Sequence, residues 1–162
     1  MMRLGRRLER MQFVANILAR QLRGPHATRA ETIEWLLDVC DSTPIYRARY
    51  LGATRLSQML DLMLYDDVHP MALAFHRRSI ERDLEELARG LGGERERGVP
   101  DVPQLPADIM EFLDVQSEQG GAARAALAEK LEALSAQSGE LSDRVSRRYF
   151  ALIESDAQAI AT

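Results

Sequence analysis

Apolar residues recur at the helical period along nearly the whole chain, and no segment alternates with period two for long enough to make a strand. That single pattern confines the fold to helices packing on helices. Leu4, Leu8, Met11, Ala15, Leu18 and Leu22 step by four and three, which draws one stripe down a helix. Gly24-Pro25 ends it. Thr28 followed by Glu31 reads as a capping box opening a second helix, with Ile33, Leu36, Leu37 and Cys40 on its buried side.

Ser42-Thr43-Pro44 is a cap followed by a first-turn proline, so a short third helix starts there and Gly52 interrupts it. Leu56, Met59, Leu60, Met63 and Leu64 stripe the next. Asp66 to Pro70 is a turn, and a long helix is expected from Pro70 to Leu91, burying Phe75, Ile80, Leu84, Leu87 and Leu91. Pro106 opens another through Phe112 and Leu113, and Gly120-Gly121 breaks it. Leu127, Leu131 and Leu134 stripe the following helix, Gly139 ends that one, and Leu141, Val145, Leu152 and Ile153 stripe the last. The expectation is an all-α bundle of about seven or eight helices without a sheet.

Periodicity fails only around residues 93–106, which hold Pro100, Pro103 and Pro106 among glycines and paired charges. We expect a helical core over 1–92, a linker or long loop over 93–106, and C-terminal helices over 107–162 packing on the same bundle. At 162 residues, the chain is long enough for one real core.

Several functions are excluded early. The net charge of −4 argues against non-specific nucleic-acid binding. No apolar run approaches the roughly 18–20 residues of a membrane span, and arginines break the first apolar stretch, unlike a secretory leader. The single cysteine, Cys40, rules out an internal disulfide and any multi-cysteine zinc site; it reads as a small buried hydrophobe. We expect a soluble, cytoplasmic protein with no cofactor.

Chemistry is sparse. No glycine-rich phosphate loop follows a strand, and there is no His-Glu-x-x-His pattern. His69 and His76 lie near Asp66 and Asp67, but proximity in sequence is not a ligand set, and no metal site is assigned. Ser42 is explained as a helix cap. Tyr46, Arg49 and Tyr50 share a helix face beside Asp41, Ser42 and Arg47. Tyrosine with arginine is typical of contact surfaces, and Asp61, Asp66 and Arg77 can join them if the helices are neighbours. Two readings stay open: an inter-helix network with wedged tyrosines, or a binding site for anions. The first helix adds Arg3, Arg6, Arg7, Arg10, Arg20 and Arg23 against Glu9 alone, and Lys130 is the only lysine. Glu9 and Arg10 fall on the polar side of the first stripe, so contact with Arg47 or Arg49 would need a neighbouring helix.

Four segments, in order, resemble the α-E domain family, named for its helices and its Glu-Arg motif. Leu4-Gly-Arg-Arg-Leu-Glu-Arg10 resembles its Gly-Arg-x-x-Glu-Arg pattern. Asp41-Ser42 with Tyr46-Arg-Ala-Arg-Tyr50 is similar to its Asp-Ser…Tyr-Arg-x-Arg-Tyr segment. Val68-His-Pro-Met-Ala-Leu-Ala-Phe75 resembles Asn-Pro-x-Ser-x-Ala-Phe, and Leu141 to Phe150 resembles the closing Leu-Ser-x-x-x-x-Arg-Arg-Tyr-Phe. His69 stands where the family commonly has asparagine, and Met71-Ala72 replaces a more polar pair. The family domain is considerably longer, so the chain resembles its C-terminal half.

The resemblance implies a context. Such proteins tend to be encoded beside, or fused to, circularly permuted ATP-grasp ligases and transglutaminase-like peptidases, in a proposed system for ribosome-independent peptide synthesis or tagging. The leading expectation is a non-catalytic helical partner that binds the ligase or presents its peptide or carboxylate substrate, with Glu9, Arg10, Arg6, Asp41, Ser42, Tyr46, Arg47, Arg49 and Tyr50 as candidate binding residues. One alternative is a ligase- or transferase-type enzyme using the arginines and tyrosines to hold an anion. Another is a self-associating bundle. A half-bundle leaves apolar stripes uncovered, so a homodimer, an ATP-grasp partner or another α-E half is expected to complete it.

Overall fold

The computed structural model describes residues 2–90, 100–106 and 120–160. Among them are six helices and no strand: α1 (Met2–Arg23), α2 (Ala30–Val39), α3 (Thr43–Arg49), α4 (Leu56–Tyr65), α5 (Leu73–Gly90) and α6 (Gly121–Ile160). The all-α reading holds, with fewer helices than expected. No described helix is long and apolar enough to cross a membrane.

The stripe on α1 is buried along its length, with Val14 and Ala19 added to the six residues read from the period. It packs chiefly against α6, and against α5 on another side. Leu127, Leu131, Leu134, Leu141 and Val145 of α6 meet it. Across that seam Arg23 donates to Glu132 at 2.8 and 2.9 Å. Both side chains are solvated, so the pair fixes register more than it stabilises. The smaller helices form a second group, in which α2 touches α3 and α4, and α4 joins α5. In α4 Leu62 is buried beside Leu56, Met59, Leu60, Met63 and Leu64, so this helix is covered on more than one face.

The helix count departs from expectation at Gly139. It lies inside α6, which runs through it as one helix. A mid-helix glycine costs about 1 kcal/mol relative to alanine, too little to stop a helix whose flanking turns are packed. There is also a reason for a small residue here. A Cβ at position 139 would sit 2.9 Å from Gln12 Nε2 of α1. The helix expected from Pro106 to Leu113 falls, after Pro106, outside the described residues.

Other boundaries shift slightly. α2 is preceded by Arg29 in the cap position, without a side-chain cap bond, so the Thr28/Glu31 box is not formed. The turn before it is braced instead by Gln21, whose Nε2 donates to Ala27 O at 3.2 Å. α5 begins at Leu73, since residues 70–72 still form the turn. His76, not Phe75, occupies the buried position on α5, at 1% exposure. Residues 100–106 have no regular structure but lie on the core: Val102 is buried, and Tyr65 donates its hydroxyl to Pro106 O at 2.9 Å.

Candidate functional site

The α2–α3 junction places the central candidate residues. Cys40 caps α2, and Asp41 follows in the left-handed region at φ +48°. Its N–H bonds Asp38 O at 3.0 Å, and the N–H of Ser42 bonds Leu37 O at 2.7 Å. These two bonds are the Schellman pattern, which normally uses glycine; aspartate is among the few other residues that tolerate that backbone. Asp41 is thus a turn residue with an exposed side chain.

The turn points Ser42 inward. The serine precedes α3, and Pro44 lies in the first turn as expected, but its side chain makes no cap bond. Fully buried, Ser42 Oγ donates to Cys40 O at 2.8 Å and lies 2.8 Å from His69 Nε2, with Met63 Sδ at 3.4 Å. With its proton on Cys40 O, the hydroxyl accepts from the imidazole Nε2–H. The cap explanation of Ser42 is therefore replaced by a buried link between two turns. Cys40 is buried beside it, and desolvation, with Asp41 adding, pushes its thiol up to about 11. It is no nucleophile at neutral pH.

From α3 the tyrosines wedge inward and the arginines point out. The Tyr46 and Tyr50 rings lie 5.0 Å apart. Tyr46 OH donates to Gln58 Oε1 at 2.8 Å and accepts from Arg55 N at 3.0 Å, holding the start of α4. Tyr50 OH donates to Asp61 on α4. Burial, followed by that carboxylate, raises the phenol's pKa. Arg49 pairs with Asp66 and lies 6.0 Å from the Tyr50 ring centre. Asp61 and Asp66 therefore join the cluster, whereas Arg77 pairs with Glu81 at 2.6 Å on its own helix. Arg47 is exposed, and with Glu34, Thr43, Tyr46, Tyr50 and Gly52 it lines a cleft of about 280 Å³.

Asp66 organises the turn between α4 and α5. Its Oδ1 accepts from the N–H groups of Val68 at 2.8 Å and His69 at 2.7 Å. Burial opposes its ionisation, but those two donors and Arg49 outweigh it and hold the carboxyl below the usual range. His69 is thereby fixed facing Ser42. His76 lies behind it with neither ring nitrogen hydrogen-bonded. Burial, then the positive fields of Arg10 and Arg7 and the neighbouring His69, lower its pKa to about 4. Among the described residues no group of three or more His, Cys, Asp or Glu is arranged to hold a metal ion.

The N-terminal candidates fall elsewhere. Glu9, Arg10 and Arg6 are exposed on α1, and no hydrogen bond or ion pair joins Glu9 to Arg47 or Arg49. Arg7 is the arginine that matters to the fold: it donates to Ser79 O at 3.0 Å and pairs with Asp83, both on α5.

A family model named Alpha-E, described as a predicted alpha-helical domain with a conserved ER motif, matches residues 1–150. The chain belongs to the α-E family. The uncharacterized protein Rv2567 of Mycobacterium tuberculosis is 32% identical to it over 157 residues. That alignment covers 94% of this chain but 17% of the relative. The uncharacterized protein Mb2597 of Mycobacterium bovis matches to the same extent. This α-E chain thus spans under a fifth of the length of the curated relatives it matches. No solved structure matches it.

Two elements of the α-E site escape sequence reasoning for different reasons. Arg7 is three residues after Leu4 and four before Met11, so it borders the buried stripe, while Arg6 falls off it. His76 stands four before Ile80 and eight before Leu84, on the buried face of α5. Spacing marks both positions; their polar identity disguises them. The side chains of Tyr149 and Phe150, in the closing α-E motif, lie outside the described residues.

Proposed function

We propose that this α-E chain is a non-catalytic helical partner in an ATP-grasp ligase and transglutaminase-like peptidase system for ribosome-independent peptide synthesis or tagging. It binds the ligase or presents the ligase's substrate. The supporting observation is how the cluster spends its side chains. The hydroxyls of Ser42, Tyr46 and Tyr50 are all turned into contacts between helices, and Arg49 is paired. What the same region offers outward is Arg47, with Ile45 beside it exposed on α3. Arginine is among the residues that most often anchor protein contacts.

The test is reconstitution with an ATP-grasp ligase from the same genome neighbourhood, ATP and a panel of amino acids, following phosphate release and co-purification. The proposal expects a complex and a changed ligation rate. Absence of both would sink it.

A second reading is favoured by the cleft beside Arg47, which is sized for a small anion. If this is an enzyme site, Arg47→Ala abolishes turnover without lowering the melting temperature. A partner role instead predicts weakened complex formation in the same variant.

A further inference from the structure

A second cavity lies away from the Tyr/Arg cluster, between α1, α2 and the turn joining them. It is a half-open groove of about 620 Å³, within the range of small-ligand sites. Its α1 wall is a second face of that helix: Phe13, Asn16, Ile17 and Arg20 follow the spacing i, i+3, i+4, i+7, beside the buried stripe. Trp35 of α2 stands opposite, and the Gly24–Ala27 turn closes one end. Phe13 is 46% exposed and Trp35 56%, so the described bundle leaves both partly uncovered.

The charge of this cavity runs against that of the chain. The protein carries net charge −4, yet no aspartate or glutamate lines the cavity, while Arg20 does. Among the described residues no carboxylate lies within ion-pair distance of Arg20, so its guanidinium is open to a ligand. An apolar, aromatic-walled cavity with one unpaired guanidinium at its edge suits a ligand that joins an apolar side chain to a carboxylate. Asn16, Thr32 and His26 add polar groups suited to amide N–H and C=O.

We infer that this cavity binds the C-terminal end of a peptide whose last residue is apolar or aromatic, the side chain between Phe13 and Trp35 and the terminal carboxylate on Arg20. The inference needs no ligase and stands apart from the Arg47 cleft.

Trp35 is the only tryptophan, so its emission reports on this cavity alone. The experiment titrates the full chain with acetyl-Gly-Gly-Phe as the free acid and as the C-terminal amide, following Trp35 emission and calorimetric heat in parallel. The acid is expected to bind saturably and roughly tenfold or more tighter than the amide, the scale of one charge-assisted contact. Arg20→Gln should erase that preference while leaving the melting temperature unchanged, since Arg20 is exposed. Equal affinity for acid and amide, or no saturable signal by either method at millimolar peptide, overturns the inference. So does emission that shifts with protein concentration alone alongside a dimer mass in light scattering, because a second copy would then fill the cavity.

Discussion

The hydroxyl oxygen of Ser42 lies 2.8 Å from Nε2 of His69, and both residues are closed off from solvent. One comes from the turn after α2 and the other from the turn after α4, so the pair ties two turns together where sequence alone suggests separate local caps. A serine beside a histidine invites a catalytic reading. Here the hydroxyl already donates to Cys40 O, and no substrate can reach it, so the contact is a strut.

Removing that strut should be costly. Ser42→Ala leaves the Cys40 carbonyl and the His69 Nε2–H buried without their partner, a penalty of about 1–3 kcal/mol. Urea denaturation should show the midpoint falling with little change in slope. A stability equal to the parent chain's would refute the strut.

His76 makes stability depend on pH. Its folded pKa, about 4, lies below the ordinary value of 6.5, so the unfolded chain binds the proton more readily between those limits. Stability contributed by the neutral imidazole is complete above about pH 6.5 and is lost as pH falls towards 4, amounting to on the order of 3 kcal/mol. The groups facing it, Arg7 and Arg10 of α1 and His69 of the α4–α5 turn, all disfavour the added charge. His76→Leu should flatten the pH profile of the melting temperature across this window and raise stability at neutral pH, since it also removes two buried nitrogens without partners.

Adjacent arginines should differ sharply. Arg7→Ala breaks the bond to Ser79 O and strands Asp83 at a part-buried position, costing about 1–3 kcal/mol. Arg6→Ala, one residue away on the exposed side, should stay within about 0.5 kcal/mol. Chemical denaturation of the two variants side by side reads the contrast, and equal effects would show that α5 is not anchored through Arg7.

At Gly139 the sign should change with side-chain size. Alanine gains up to about 1 kcal/mol of helix propensity, and the atom its Cβ meets is the free end of Gln12, which can swing aside. Its bond to Ser135 O is long, 3.4 Å, so little is lost. Gly139→Ala should therefore raise the melting temperature slightly. Gly139→Val should lower it, because a branched side chain cannot be accommodated by moving one amide.

Much of this architecture is legible in the sequence, because burial on a helix follows the period directly. The stripes on α1 and α4 match the buried residues position for position, with Val14, Ala19 and Leu62 added at their flanks. Gly24-Pro25 and Gly52 mark real interruptions. Gly139 misleads because a glycine is read locally as a stop, while here the helix runs through it and the side-chain size it tolerates is limited by Gln12, a residue 127 positions earlier on α1. The Tyr46/Arg49/Tyr50 face is legible from helical spacing, but its partners on α4 depend on how the helices pack. The cavity at Trp35 is hidden for the same reason: each wall reads as an ordinary solvated face until the two helices are set side by side.

The pairing of α1 with α6 also dictates an order of events during synthesis. Among the described helices α1 is synthesised before the rest, yet the helix that covers most of its apolar stripe starts at Gly121. At roughly 5–20 residues per second, that stripe waits on the order of 5–20 seconds for its mate. In that interval α2 to α5 can assemble around α4, but the nascent chain carries an open greasy seam. Chaperone capture or premature association should therefore concentrate on chains interrupted between α5 and α6.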